Sequence, residues 1–232
     1  MREQVVKTRF GLKFSVEKAR AMQRLLSRRV ICEDRLPEKI NCVGGVDVAY
    51  CDNISVGAVA VLDFNSLELV ESQTSCCKTR FPYVPTLLSF REIPPVVLAI
   101  RKLRRLPDVF LVDGQGVAHP RRFGFASHLG LAIDKPTIGV AKSLLCGEVG
   151  KLNEESWAPI TDKGEIIGAV VATFSEEKPL YVSIGHKVSL NRAIAIVRHF
   201  TRRKRIPEPV LKAHEIANEE KSKLVFMGSK KR

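Results

Sequence analysis

Three carboxylates stand where solubility does not explain them. Asp47 lies inside the apolar stretch 40–50 (INCVGGVDVAY), Glu92 closes the run Ser89-Phe90-Arg91, and Asp113 ends the apolar run 109–112. An unpaired carboxylate among apolar neighbours is costly to bury, so such a residue needs a hydrogen-bond network, a cationic partner or a metal ion. Clustered carboxylates resist ionising together unless a cation neutralises them. Oxygen-only ligands suit magnesium, with manganese as the substitute. Structural readings stand beside this one: a hydrogen-bonded Asp47, a capping box from Ser89 to Glu92, and a plain Asp-Gly turn at Asp113-Gly114. Lys142, after the apolar run 136–141, is either an ordinary surface lysine or a cation at the same rim as Asp113.

The elements that must position these groups follow from periodicity. Residues 40–50, 56–64 and 69–76 read as three consecutive antiparallel strands, the last two joined by a turn at Asn65-Ser66. Residues 109–112 read as a strand buried on both faces, with Asp113 at its carboxyl end, where open α/β sheets form their crevice. Gly114 and Gly116 permit close backbone approach. His119-Pro120-Arg121-Arg122 then opens a helix from about 120 to 133 that buries Phe125, Leu129 and Ile133, and its anion-binding groups are expected to converge on Asp113. A strand–helix–strand connection favours a parallel pair, which brings Lys142 to that rim.

Pro94 and Pro95 argue against Ser89 as a cap, because a helix tolerates proline only in its first turn. The expected start is near Ile93, leaving Glu92 at the entrance, with Arg101, Lys102, Arg104 and Arg105 in the last turn before Leu106. Ser15 caps a helix over 16–28 that turns Val16, Ala19, Met22, Leu25 and Leu26 inward and a basic face outward. Residues 166–174 and 180–184 resemble a hairpin around the polar segment 175–178. Ser189 caps a helix through 203, and the run 202–205 is a charge cluster at its end or a phosphate contact. Pro207-Glu208-Pro209 starts a final helix carrying His214, read here as a packed or exposed histidine before a ligand.

Pro82 and Pro85 bracket Tyr83 and Val84 and stiffen their loop. Tyr83 either packs that loop onto the core or serves as an aromatic wedge, since base stacking of ~1–3 kcal/mol compares with the cost of unstacking a nucleotide.

The 232 residues, 45% hydrophobic, suffice for one domain spanning 1–232, with a frayed basic tail at 229–232. No apolar run approaches the roughly 18 residues of a membrane span, and no signal segment opens the chain, so a soluble cytoplasmic protein is expected. The six cysteines form no CxxC pair and read as reduced, mostly core residues. A net charge of +13 makes a polyanion the first partner to consider. Carboxylates that hold a divalent ion on a basic surface imply phosphodiester hydrolysis.

GGVDVAY, RFPYVPTLLSFRE, VFLVDGQGVAHPRRFGFASHLG, PTIGVAKSLLCG and IPEPVLKAH together resemble the endonuclease V family, in the same order, from Gly44 to about His214. The resemblance implies a ribonuclease H-like α/β fold: a mixed sheet, three antiparallel strands followed by parallel ones, flanked by helices. It implies Asp47, Glu92, Asp113 and His214 as magnesium ligands and Lys142 as the catalytic lysine. It also implies Pro82, Tyr83, Val84 and Pro85 as a strand-separating wedge. The pocket for a flipped hypoxanthine falls on Leu88, Gly114, Gly116, His119, Gly124, Ala141, Ser143 and Leu145, with His119 alternatively a phosphate contact. Thr86 stands where some relatives have glycine. The implied reaction is cleavage of the second phosphodiester 3′ to inosine in DNA by a monomer, leaving 3′-hydroxyl and 5′-phosphate ends. The alternatives are the same cut in inosine-containing RNA, since some family members act there, and a catalytically inactive nucleic-acid-binding protein.

Overall fold

The computed structural model describes residues 5–7, 13–154, 156–173, 178–201 and 204–229. Strands β1 (Val5–Lys7) and β2 (Lys13–Ser15) form a small antiparallel ribbon. Helix α1 (Val16–Ser27) follows at once, its first turn capped by the Ser15 hydroxyl, which accepts the Lys18 amide at 3.2 Å. Its inner face differs from the expectation. Val16 and Ala19 are buried, but Met22 and Leu25 are 45% and 57% exposed, and the residue buried between them is Gln23. The helix rests on a small cluster with Leu87, Val84, Phe81 and Phe90 rather than on the main sheet, so its buried stripe is narrow.

Strands β3 (Cys42–Cys51), β4 (Ile54–Asp63) and β5 (Leu69–Lys78) are antiparallel neighbours, as their alternation predicts. Asp63 fixes the turn, its carboxylate accepting the amides of Asn65 and Ser66 at 2.9 Å each. Helix α2 (Ser89–Ile100) begins four residues before the expected Ile93 and ends well before Leu106. The amides of Arg91 and Glu92 reach the Leu88 carbonyl, closing a first turn ahead of the prolines, which therefore lie inside the helix. The cap position is Leu88, one residue before Ser89, so the proline argument for a later start does not hold. What overrides proline's usual exclusion is packing: Pro95 lies against β4 at Gly57, where a Cβ would meet the Pro95 carbonyl carbon at 2.4 Å. Arg101 ends up at the C-cap and Lys102, Arg104 and Arg105 lie beyond it.

Strand β6 (Val109–Asp113) runs parallel to β3, pairing Val46 with Val112. Helix α3 (Phe125–Ile133) starts later than the expected 120, because Arg122 adopts a left-handed φ of +54° and Gly124 is the N-cap. Strand β7 (Thr137–Ala141) is parallel to β6 and aligns Asp113 with Val140. Strands β8 (Glu148–Val149) and β9 (Trp157–Asp162) were not anticipated; both are short and carry polar or proline residues that blur their period. The expected hairpin is β10 (Glu165–Val171) and β11 (Leu180–His186), with 174–177 outside the described residues. Helix α4 (Leu190–His199), capped by Ser189, stops before the expected 203, and residues 202, 203 and 230–232 of the basic runs lie outside the described ones. Helix α5 (Glu208–Ser229) ends the described chain.

The sheet has nine strands in the order β5-β4-β3-β6-β7-β11-β10-β9-β8. The parallel core β3-β6-β7 is thus extended by four antiparallel strands rather than by further parallel ones. One apolar layer joins Val43, Leu111, Val182, Val197 and Phe200 beneath α4 and α5; the opposite layer joins Val46, Val59, Val112, Ile100 and Leu129 beneath α2 and α3. All six cysteines are free as expected, but none is buried, because they fall at strand ends, in loops and on the edge strand β5.

Candidate active site

The sheet gathers the acidic residues at one rim. Asp113, the last residue of β6, sits beside Lys142, the first residue after β7, and the Lys142 ammonium contacts Asp113 Oδ2 at 2.6 Å. Parallel pairing of the two strands requires this adjacency. The main chain at Lys142 is held from behind by Arg205, whose guanidinium donates to the Lys142 carbonyl at 2.8 Å and to that of Pro179 at 3.0 Å. Arg205 is therefore a supporting residue of the rim.

Asp47 is joined to the site from the far end of the chain. Helix α5 crosses β3 so closely that a Cβ on Gly45 would lie 1.9 Å from the Pro209 carbonyl oxygen, and only glycine fits there. That crossing sets His214 against Asp47, its Nδ1–H donating to Oδ2 at 2.7 Å, while Asn218 contacts the other ring nitrogen at 3.1 Å. The family resemblance assigned both residues to one site, but residue periodicity alone could not pair partners 167 residues apart.

Glu92, in the first turn of α2, completes the cluster. Burial pushes its carboxyl up to about 8, the charges of Asp47 and Asp113 add to this, and Arg91 opposes it. Burial also raises Asp47, again with help from Asp113 and against the hydrogen bond from His214. Arg91 lies 4.4 Å over the Tyr50 ring, next to Glu92.

The donor set fits a hard divalent ion. The charges of Asp47 and Asp113 disfavour ionisation of Glu92, that of Asp113 disfavours ionisation of Asp47, and two of the three carboxylates are turned onto cationic or donor side chains, Asp113 onto Lys142 and Asp47 onto His214. In this arrangement no three acidic, histidine or cysteine side chains among the described residues surround a single point closely enough to hold an ion.

A cavity of about 200 Å³ opens beside the carboxylates, with Glu92 and Asp113 in its wall. Leu88, Gly114, His119, Gly124 and Leu145 line it, together with Gln23, Thr86, Ser89, Gln115 and Phe125. Gly116, Ala141 and Ser143 do not. Gly116 is instead a packing glycine, since a Cβ there would lie 2.0 Å from the Ile184 carbonyl oxygen. Ala141 is buried in β7, and Ser143 is exposed, its carbonyl accepting the Gln115 side-chain amide at 3.0 Å.

His119 is buried with both ring nitrogens engaged. The Arg121 amide donates to Nδ1 at 3.2 Å and Nε2–H donates to the Thr86 carbonyl at 3.0 Å, so the ring presents no free nitrogen to a phosphate. Burial lowers its pKa to about 4. The arginines beside it do not converge on Asp113. Arg122 forms ion pairs with Asp162 at 2.8 Å and Glu165 at 3.2 Å, and Arg121 turns to Gln23 and Thr86.

Three residues before Thr86 of the cavity wall, Tyr83 is 69% exposed, whereas Val84 packs with Leu87 and Phe81 stacks on Phe90 at 5.3 Å. The loop is anchored by its neighbours and Tyr83 is left projecting.

A family model described as Endonuclease V matches residues 24–215, a span that contains Asp47, Glu92, Asp113, Lys142 and His214. The chain belongs to the Endonuclease V family. The Endonuclease V of Rippkaea orientalis is 49% identical over 217 residues, covering 92% of this chain and 94% of that one. The crystal structure of the Streptomyces avermitilis Endonuclease V is similar with a TM-score of 0.84 and 41% identity, covering 90% of this chain and 94% of its own. Ciona intestinalis Endonuclease V, in complex with a 24mer DNA containing an inosine followed by a ribo-adenosine, gives a TM-score of 0.82 at 33% identity, over 90% and 98%. Membership of the Endonuclease V family makes this protein a nuclease. No helix among the described residues is long and apolar enough to cross a membrane.

Proposed function

We propose that this protein is a divalent-metal-dependent repair endonuclease that takes a deaminated base, chiefly hypoxanthine, into the cavity. It hydrolyses the second phosphodiester on the 3′ side, leaving 3′-hydroxyl and 5′-phosphate ends, and acts as a monomer. The observation that carries this reading is the shared wall: Glu92 and Asp113 line the cavity and also belong to the acidic cluster. An extruded base is therefore held immediately beside the hydrolytic groups, while the phosphate they act on belongs to a neighbouring nucleotide. The inosine-containing DNA bound by the Ciona relative supports the choice of substrate.

Asp47, Glu92, Asp113 and His214 would hold the ion. Magnesium, or manganese in its place, supplies charge neutralisation for phosphate oxygens and eases loss of a proton from water. Lys142 is placed to move from Asp113 to the scissile phosphate, where its charge offsets the negative charge that develops on oxygen. Gly114 and Gly124 give the cavity a main-chain wall, and Tyr83, with Pro82, Val84 and Pro85 behind it, fills the gap left by the extruded base.

A ribo-adenosine follows the inosine in the Ciona complex, so inosine-containing RNA is the second reading. Matched DNA and RNA oligonucleotides carrying one inosine, incubated with magnesium or with EDTA, separate these possibilities. The expected result is a single cut in the DNA that disappears in EDTA and falls by about 10²–10³ in Lys142→Met. Cleavage that persists in EDTA or in Asp113→Ala would sink the metal mechanism, and cleavage confined to RNA would select the second reading.

A further inference from the structure

Thr86 is the joint between the projecting Tyr83 loop and the cavity wall. Its φ is +68°, a left-handed conformation that β-branched residues rarely adopt. Three donors converge on its carbonyl: Gln23 Nε2 at 2.9 Å, His119 Nε2 at 3.0 Å and Arg121 Nη2 at 3.2 Å. The same Arg121 nitrogen also holds the Thr86 hydroxyl.

Gln23 has no exposed surface, and both ends of its amide are used. Nε2 also donates to the Phe123 carbonyl at 3.1 Å, and Oε1 accepts Arg121 Nε at 2.5 Å. A buried glutamine is costly unless its polar atoms are paired, and this one is paired entirely with the loop and the segment behind the cavity. Gln23, Thr86 and His119 all face the cavity. Releasing Thr86 would therefore displace the Tyr83 loop and reshape the wall together.

We propose that Gln23 and Arg121 are positioning residues for base recognition. They hold Thr86 in its left-handed conformation and so fix the Tyr83 loop where it joins the wall of a cavity shaped before the base arrives. This rests on the base-extrusion reading above. Both amide hydrogens of Gln23 are committed to the Thr86 and Phe123 carbonyls, and Arg121 Nε and Nη2 are turned onto Gln23 and Thr86, so these groups act through Thr86. Helix α1, outside the sheet, thereby becomes part of the recognition apparatus.

The test uses the full chain with Gln23→Ala, Arg121→Lys, which keeps the charge but loses the planar fork, and Gln23→Ala combined with Thr86→Gly. Hydrogen–deuterium exchange over residues 82–88 without nucleic acid should rise roughly tenfold in both single variants, as loss of a hydrogen bond or two allows local opening. The ratio of affinities for inosine-containing and undamaged duplex should fall by about the same factor in both single variants. Thr86→Gly should restore part of that ratio, because glycine adopts positive φ without the clamp. Unchanged exchange at 82–88 would overturn the proposal, and so would faster exchange with the inosine preference intact. If Gln23→Ala does not fold, the same two readouts on Arg121→Lys decide. A wild-type protein without inosine preference would refute the base-extrusion reading instead, and the exchange measurement would still decide whether Gln23 and Arg121 hold Thr86.

Discussion

His119 and His128 show how far environment moves a side chain from its usual chemistry. Burial lowers both to about 4; His128 Nδ1 shares a hydrogen bond with the Ser89 hydroxyl at 3.1 Å, and its ring lies between Phe90 and Phe123. A histidine held neutral in the fold binds its proton more readily when unfolded. Its contribution to stability is therefore complete above the unfolded value of about 6.5 and is lost as pH falls through 4. Proton NMR should show two imidazoles titrating near pH 4, and urea unfolding should show the protein weakening between pH 6.5 and 4. A midpoint near 6.5 for both would contradict their burial. Glu92 has the opposite sign: its raised pKa means its stabilising effect is complete below about 4.5 and is lost as pH rises through 8. The identity of these residues was plain in the sequence, but their protonation was not, since it depends on groups brought from elsewhere in the chain.

At the scale of elements, close approaches decide which side chains meet. Gly45 lies two residues before Asp47 and admits the start of α5, so Gly45→Ala should push the helix off β3. Overpacking of this kind typically costs about 1–3 kcal/mol, and here the contact is main chain, which cannot rotate away. Chemical denaturation should show that loss together with a drop in cleavage, because His214 moves with the helix. The Tyr83 loop makes the contrasting prediction. Tyr83 is exposed, so Tyr83→Ala should change unfolding free energy by less than ~0.5 kcal/mol yet weaken binding to inosine-containing duplex more than to undamaged duplex. Equal losses on both duplexes would leave Tyr83 without a part in lesion recognition. The bracketing prolines signalled this loop, whereas α2 hid its start, because packing at Gly57 outweighs the exclusion of proline from helix interiors.

At the scale of the whole molecule, a net charge of +13 implies a long-range field that gathers polyanions. If about five phosphates are neutralised, log affinity for undamaged duplex should fall against log salt with a slope near −4 to −5. Fluorescence anisotropy at 50–200 mM salt, roughly the range over which counterion release is read, measures it, and a flat response would contradict binding through the basic surface.

The sequence alone determined what is local or periodic: the three opening strands, the β6 and β7 strands, the Ser15 and Ser189 caps, and the placing of Asp113 and Lys142 at one rim. Strand polarity and alternation follow from neighbouring residues, so they can be read along the chain. The ordered motifs also carried the family resemblance from Gly44 to His214. Tertiary structure decided the rest. It buried Gln23 where the helical period pointed to Met22, turned Arg121 and Arg122 away from Asp113, and brought His214 to Asp47. The physical reason is the same in each case: a polar side chain takes the partner that completes its hydrogen bonds, and that partner is fixed by packing between segments far apart in the chain.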